Sequence, residues 1–440
     1  MLVGLSVCLG SCCYNGAALC YALGGFAMNR RVVVTGLGAI SPLGLDVPSL
    51  WEGIVQARSA VGRITQFDPT KFSAQIAAEV HGFDAANYMD KKEARRNSRF
   101  VHFAVAAAKE ALRSADFTIT DENADDVGVI IGCGVGGLDN FTTYLRVMDA
   151  KGPDRITPFL IPMMIVDMAG GVVAIEIGAR GPNFCPVSAC ATSGNAIGEA
   201  WHVIRRGEAK VILAGGTEAS ITEIGIGAFA SARALSTRND DPATASRPFD
   251  KDRDGFVMGE GSGVLVLEDY EHAVSRGATI LAELVGYGVS TDAYHITMPA
   301  EDGSGAVKAM RMALRQAGLE PHELGYLNAH GTSTPVNDRT ETLAVKKVFG
   351  DYTAKLPISS NKSQIGHTLG AGGAIEAVIG ICAMREGLLP ATINYHTPDP
   401  ECEIDCVPNT PRPAQFSSFM SNSFGFGGHN VSLLFKAFEA

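Results

Sequence analysis

The sequence predicts an α/β fold built from two fused, similar halves, residues 28–275 and 276–440. Three observations predict it. Short apolar runs alternate with amphipathic runs of helical period along the chain. No charged linker or low-complexity stretch divides the chain into independent units. A weak internal echo relates the halves. Val32–Gly38 and Ala282–Ser290 each read as a strand leading into a Gly- or Ser-containing loop, and Val187–Cys190 and Leu327–Gly331 each read as a strand followed by a polar or reactive loop. Halves of about 240 and 160 residues lie in the usual domain range.

In chain order, Arg31–Thr35 is a strand because Val32-Val33-Val34-Thr35 is β-branched throughout. Arg96–Ala115 follows with apolar residues on one helical face. Val127–Ile131 is a short apolar strand. Ser193–Arg206 is a helix whose stop is written in Arg205-Arg206-Gly207, basic residues in the last turn and Gly just past it. Val211–Ala214, Gly263–Leu267 and Leu281–Val285 are again apolar runs of strand length. Gly305–Ala317, Arg339–Phe349 and Gly372–Arg385 are helices, with the strand Leu324–Asn328 between the first two.

The 440 residues, 46% hydrophobic, suffice for one large core or two fused ones. The net charge of −11 argues against general nucleic-acid binding. The ten cysteines show neither paired CxxC spacing nor the Cys/His pattern of zinc sites, which fits reduced thiols in a cytosolic-type compartment. Residues 1–27 contain Cys8, Cys12, Cys13 and Cys20 and no charge, so they match neither a secretory signal nor an Arg-rich transit peptide. Gly and Asn interrupt them too often for a membrane helix. Met28 reads as the natural start, with 1–27 a disordered leader or a mis-assigned start; a degenerate targeting signal is the weaker alternative.

Cys190 stands in Pro186-Val187-Ser188-Ala189-Cys190-Ala191-Thr192-Ser193-Gly194, where an apolar segment meets a helix. A cysteine in an apolar segment is ordinarily a packing residue. On a strand-to-helix turn, however, free N–H groups and the helix dipole favour thiolate, the nucleophilic form. The same N–H groups suit an oxyanion. Asn328-Ala329-His330-Gly331-Thr332-Ser333-Thr334-Pro335 puts a His in a polar loop after a strand, and Asn361-Lys362-Ser363-Gln364-Ile365-Gly366-His367 puts another beside Gly. A hydrogen-bonded turn His and a solvated Lys are the bland readings of these loops. One Cys and two His together suit acyl transfer followed by chemistry at a second carbonyl.

On these segments, with Arg253–Gly261 and Ser421-Asn422-Ser423-Phe424-Gly425-Phe426-Gly427-Gly428, the chain resembles the β-ketoacyl-[acyl-carrier-protein] synthases over nearly all of 28–440. The Cys-His-His set is similar to the elongating enzymes, and Ser290–His295 is most similar to their type II. The resemblance implies a thiolase-like fold, two βαβ-rich halves in five alternating α-β-α-β-α layers, and a homodimer. It implies Cys190 as nucleophile, His330 and His367 as decarboxylation and enolate groups, and the N–H groups of Cys190 and Phe426 as oxyanion hole. Lys362 is implied as an electrostatic residue paired with Glu376, Phe426 as a gate, and Asp292 as a supporting residue.

Thr332 and Thr334 are implied to bind pantetheine, with Phe229, Phe424 and Val135 also at substrate, Val135 in the acyl pocket. Acyl carrier protein is the implied partner, docking on Lys92, Arg95, Arg96 and Arg99, read as one helix face, with Arg155 and Arg233 as weaker contacts; a solvated helix face is the alternative. No metal or organic cofactor is implied, although a structural monovalent cation is compatible. His429 and Asp154 depart from the family pattern, where Thr and a base are usual. The competing functions are a polyketide or specialised-lipid ketosynthase and a non-catalytic chain-length subunit, which would lack the nucleophile. A thiolase is disfavoured, because Cys382, Cys402 and Cys406 lie in no matching motif.

Overall fold

The structure, a computed structural model, describes residues 30–439, so the expectation for 1–27 lies outside the described residues. Its centre is a nine-stranded mixed sheet. The strands are β1 (Val32–Ile40), β2 (Val127–Gly132), β3 (Val211–Glu218), β4 (Gly261–Asp269), β5 (Ala282–Thr291), β6 (Tyr326–Asn328), β7 (Ile358–Ser359), β8 (Ser418–Gly425) and β9 (His429–Lys436). Their spatial order is β2-β3-β4-β1-β5-β9-β8-β6-β7. The order is a repeat meeting itself head to head. In the first half β2 runs parallel to β3, β3 antiparallel to β4, and β4 antiparallel to β1. In the second, β6 runs parallel to β8, β8 antiparallel to β9, and β9 antiparallel to β5. The repeats join where β1 pairs antiparallel with β5.

The helices that matter are α1 (Arg99–Ser114), α2 (Leu138–Lys151), α3 (Met168–Ile177), α4 (Thr192–Arg206), α5 (Glu223–Ser231), α6 (Ser304–Ala317), α7 (Pro335–Phe349) and α8 (Gly372–Glu386). Strand alternation sorts them into layers. On β4, Val264 and Val266 face a core built with α1 and α3, whereas Leu265 and Leu267 face a core built with α4 and α8. Leu327 of β6 and Leu434 of β9 face a third core with α6 and α7. Three helical layers separated by the two sheet halves give the five layers expected. Because both faces are covered, every residue of β1 to β4 is buried, which is why these strands read as continuous apolar runs.

The internal echo has a physical origin different from the one read in the sequence. Val32–Gly38 and Ala282–Ser290 are strand interiors, not strand-to-loop transitions. A Cβ at Gly38 would lie 1.9 Å from Ala107 O, and one at Gly288 1.8 Å from Ala309 O. Glycine is needed there so that α1 and α6 can sit against β1 and β5. The segment before Cys190 is also not a strand; it touches the sheet by one bridge, Asn183 to Val129. The six strands and five helices expected are present with shifted ends. The β8–β9 hairpin, β7, α2, α3 and α5 had not been expected. β8 reads Ser-Phe-Met-Ser-Asn-Ser-Phe-Gly, too polar for a core strand by pattern. Its polar groups are satisfied inside: Ser421 Oγ accepts from Asn328 Nδ2 (3.2 Å), and Asn422 Nδ2 donates to Glu341 (3.2 Å).

Candidate active site

Cys190 occupies the 3-10 turn Ala189–Ala191 that feeds straight into α4. Ala189 holds φ at +52°, a left-handed value costing a residue with a Cβ about 1–2 kcal/mol. Leu369 holds φ at +47° in the matching turn Leu369–Ala371 before α8. The repeat therefore places the Cys190 turn of one half opposite the turn that follows His367 in the other.

His330 follows β6. Its N–H and that of Gly331 each donate to Glu341, at 2.8 Å, from the adjoining α7. His367 is held at both backbone ends: its N–H donates to Val257 O (2.7 Å), and Gly259 N–H donates to His367 O (2.9 Å). The two imidazoles stand nearly perpendicular with centroids 5.3 Å apart. The Leu369 N–H donates to His367 Nδ1 (3.3 Å), which puts the ring proton on Nε2. The backbone amides of Phe426 and Cys190 point at Cys190 Sγ. Phe426 sits in the turn between β8 and β9.

A cavity of about 430 Å³ joins these groups. Cys190, His330 and His367 line it, as do Thr332, Thr334, Phe229, Phe424, Phe426, Arg233 and Asp292. Phe256 packs edge-on to His367, with centroids 5.2 Å apart. Thr334 is the N-cap of α7, yet its side chain makes no cap hydrogen bond; its Oγ1 meets Thr332 Oγ1 at 2.8 Å instead. The helix forgoes a cap worth about 1 kcal/mol, and both hydroxyls stay at the cavity wall. The Phe426 turn is tied to the neighbouring loop. Gly427 N–H donates to Ile296 O (2.8 Å), Asp292 N–H donates to Gly428 O (2.9 Å), and Asn430 Nδ2 donates to Asp292 Oδ1 (2.7 Å). The His429 ring lies against Gly427, where a Cβ would come within 3.0 Å of Nε2.

Burial dominates the electrostatics. It pushes the Cys190 thiol up to about 12, although Lys362 and the two amides pull the other way. Desolvation outweighs Lys362 and the two amides, which favours the thiol over the thiolate that a helix terminus by itself promotes. Burial, then the charge of Lys362, hold His330 and His367 well below the ordinary imidazole range, so both are neutral. Lys362 is 1% exposed and pairs with Glu376, also 1% exposed.

Other expected residues fall elsewhere. Val135 is not among the residues lining this cavity; it is 39% exposed, and its N–H donates to Glu218 Oε1 (3.3 Å). The basic cluster is not one helix face. Lys92 lies on the short helix Lys91–Ala94, and Arg95 closes that helix. Arg96 pairs with Glu93 (2.7 Å) and lies over Phe159, while Arg99 opens α1 and binds the buried Glu260 (2.7 Å). Ser98 restarts the helix after a turn, which the continuous spacing had concealed. Lys92, Arg95 and Arg155 are exposed, and Arg233 is exposed at the cavity wall.

Two carboxylates were missed. Glu218 is buried and accepts from Gly134 N–H (3.0 Å), Gly370 N–H (3.2 Å) and Ser220 Oγ (3.1 Å), joining loops of the two halves. Glu341 is pushed up to about 7 by burial. An acid ending the apolar run Val211–Glu218 was the available signal for the first. For the second there was none, since Glu341 looks like any helical acid.

Comparison with known proteins accords with this geometry. Models of the β-ketoacyl synthase N-terminal and C-terminal domains match residues 29–273 and 281–396. A 3-oxoacyl-[acyl-carrier-protein] synthase 2 of Synechocystis sp. is 52% identical over 410 residues, 93% of this chain and 99% of that protein. One from Staphylococcus aureus is 50% identical over 414 residues, 94% of this chain and all of that protein. Among solved structures, a β-ketoacyl synthase from Burkholderia phymatum superposes with a TM-score of 0.87 at 36% identity, covering 93% of this chain and all of that one. A type II polyketide ketosynthase in complex with its acyl carrier protein superposes at 0.85 with 33% identity over the same shares. The chain belongs to the β-ketoacyl synthase family.

Proposed function

We propose that the chain is the elongating 3-oxoacyl-[acyl-carrier-protein] synthase of fatty-acid synthesis. The observation that carries the reading is one cavity holding a thiol under two amide donors and facing two neutral imidazoles. In the first stage Cys190 sulfur attacks the acyl thioester carried on pantetheine. The amides of Cys190 and Phe426 receive the oxyanion. The pantetheine sulfur leaves and takes the thiol proton. In the second stage malonyl thioester loses its carboxylate as carbon dioxide, and the electron pair passes into an enolate. His367 Nε2–H and His330 donate to that oxygen; neutral imidazoles suit this because they need no proton transfer to stabilise it. The carbanion attacks the Cys190 thioester, and the cysteine sulfur leaves and regains a proton. The released 3-oxoacyl chain is two carbons longer.

The Thr332 and Thr334 hydroxyls bond the pantetheine amides in this reading, a role supported by their position at the cavity wall, and Lys92, Arg95, Arg96, Arg155 and Arg233 draw in the acidic carrier protein. A homodimer is supported by the exposed apolar side chains of Val135, Phe141, Leu145, Phe159, Phe184 and Val187. The chemistry calls on no metal or organic cofactor. Asn361 Oδ1 and Glu376 Oε2, buried acceptors without a partner among the described residues, are oxygens of the kind a structural monovalent cation takes. No described helix is long and apolar enough to cross a membrane, which accords with work in the cytoplasm. Identity near 50% to fatty-acid enzymes against 33% to the polyketide ketosynthase favours the fatty-acid reading. The test supplies linear acyl carrier protein and malonyl carrier protein and follows carbon dioxide with the product's chain length. Stoichiometric carbon dioxide and a linear 3-oxoacyl product are expected; turnover with polyketide-type chains alone would move the assignment to a specialised pathway.

A further inference from the structure

The segment Arg253–Gly261 has no part in the chemistry above, yet it runs beneath both histidine loops. Gly255 N–H donates to Ser333 O (3.2 Å), and Val257 O receives His367 N–H (2.7 Å). At its head, the Arg253 side chain is 3% exposed. Its guanidinium donates from Nε to Thr334 O (3.3 Å) and from Nη2 to Pro335 O (3.1 Å). Nη1 donates to Asp250 O (2.7 Å) and to Asp399 Oδ2 (2.6 Å). Asp338, in the first turn of α7, lies 3.5 Å from Nε and accepts Phe249 N–H (2.9 Å).

The cation thus grips the two carbonyls on either side of the α7 start. A Thr at a helix N-cap ordinarily turns its hydroxyl back to the helix N–H groups, and Thr334 does not. Once Thr334 O and Pro335 O are fixed, the chain direction into α7 is set without the cap, and the Thr332 and Thr334 hydroxyls remain at the cavity. The grip needs a planar fork with several N–H donors; an ammonium is a point charge without that geometry.

We infer that Arg253, braced by Asp338 and Asp399, is a positioning residue that holds the Thr332–Pro335 loop with both hydroxyls toward the pantetheine arm. The inference rests on the synthase reading. The test uses the full chain carrying Arg253→Lys and, as substrate, an acyl-pantetheine thioester without carrier protein, so that docking is bypassed. Loss of one good hydrogen bond to the arm raises KM about tenfold, with kcat and the rate of Cys190 alkylation by iodoacetamide near wild type. Asp399→Asn shifts KM in the same direction and by less. An unchanged KM in Arg253→Lys overturns the inference. So does a loss of activity and alkylation in proportion to a lowered folded fraction, which is what a merely structural ion pair would give. Wild type that takes no acyl group from either acyl-pantetheine or carrier protein overturns the synthase reading instead, and the inference with it.

Discussion

Replacing Lys362 by Met isolates the buried pair beneath the site. Glu376 is 1% exposed, and removing one partner of such a pair costs about 3–5 kcal/mol, because the other charge is left desolvated. An unfolding entropy of about 2.1 cal/mol/K per residue amounts to about 0.9 kcal/mol/K over the 440 residues. The expected fall in Tm is therefore about 3–5 °C. Its pH dependence has a definite sign. Burial already raises Glu376, and Lys362 opposes that rise. Without the lysine the folded carboxyl binds its proton more tightly than the unfolded one. The deficit is then small near pH 5 and widens toward pH 8.

Lys362→Met/Glu376→Leu removes both charges and recovers most of the loss. It does not recover activity. Lys362 depresses both histidines and helps to lower the Cys190 thiol. Without it the imidazoles protonate at higher pH, and the acid limb of the pH–rate profile moves toward neutrality. Calorimetry at several pH values with iodoacetamide kinetics reads both effects. A single variant as stable as wild type at pH 8, or a double variant less stable than the single, would refute the reasoning.

Three further outcomes are expected. With the Cys190 thiol pushed up to about 12, its alkylation rate rises roughly tenfold per pH unit from neutrality to pH 10 without a plateau; a plateau near pH 8 sinks the desolvated-thiol description. His330→Ala and His367→Ala retain acyl transfer to Cys190 but lose decarboxylation by about 10²–10⁴-fold, measured as carbon dioxide release; equal loss of acylation contradicts their assignment to the second stage. Arg95→Glu raises KM for carrier-linked substrates, and the effect fades with added salt. Arg99→Ala instead lowers Tm, because it strips the charged partner from buried Glu260 and leaves it only the neutral donors Gln66 and Val80 N–H; a salt-dependent KM shift in Arg99→Ala would return that residue to the docking face.

Much of the fold could be read because its first four strands are buried on both faces and so stand out as unbroken apolar runs. The β8–β9 hairpin could not, because Ser421 and Asn422 find their partners on β6 and α7, and no local pattern announces partners about 80 to 95 residues away. Cys190, His330 and His367 were legible from reactive groups in Gly- and Thr-bearing loops. Their ionisation was not. The helix terminus is visible in sequence, whereas the desolvation that raises the thiol depends on which segments close over the sulfur. Val135 shows the same limit: its Gly-rich loop is visible in sequence, whereas its 39% exposure outside the cavity lining depends on how that loop packs. The basic residues from Lys92 to Arg99 were misjoined because a spacing of three or four residues does not reveal that the helix breaks before Ser98.

The central claim is that Cys190 carries the growing chain and surrenders it in a decarboxylative condensation. Intact-protein mass spectrometry tests it most directly, with wild type and Cys190→Ala each given long-chain acyl carrier protein and then malonyl carrier protein. The account predicts one acyl adduct on wild type alone, discharged on malonyl addition into a 3-oxoacyl product two carbons longer. An adduct that persists in Cys190→Ala, or a wild-type enzyme that takes up no linear acyl chain, would contradict it.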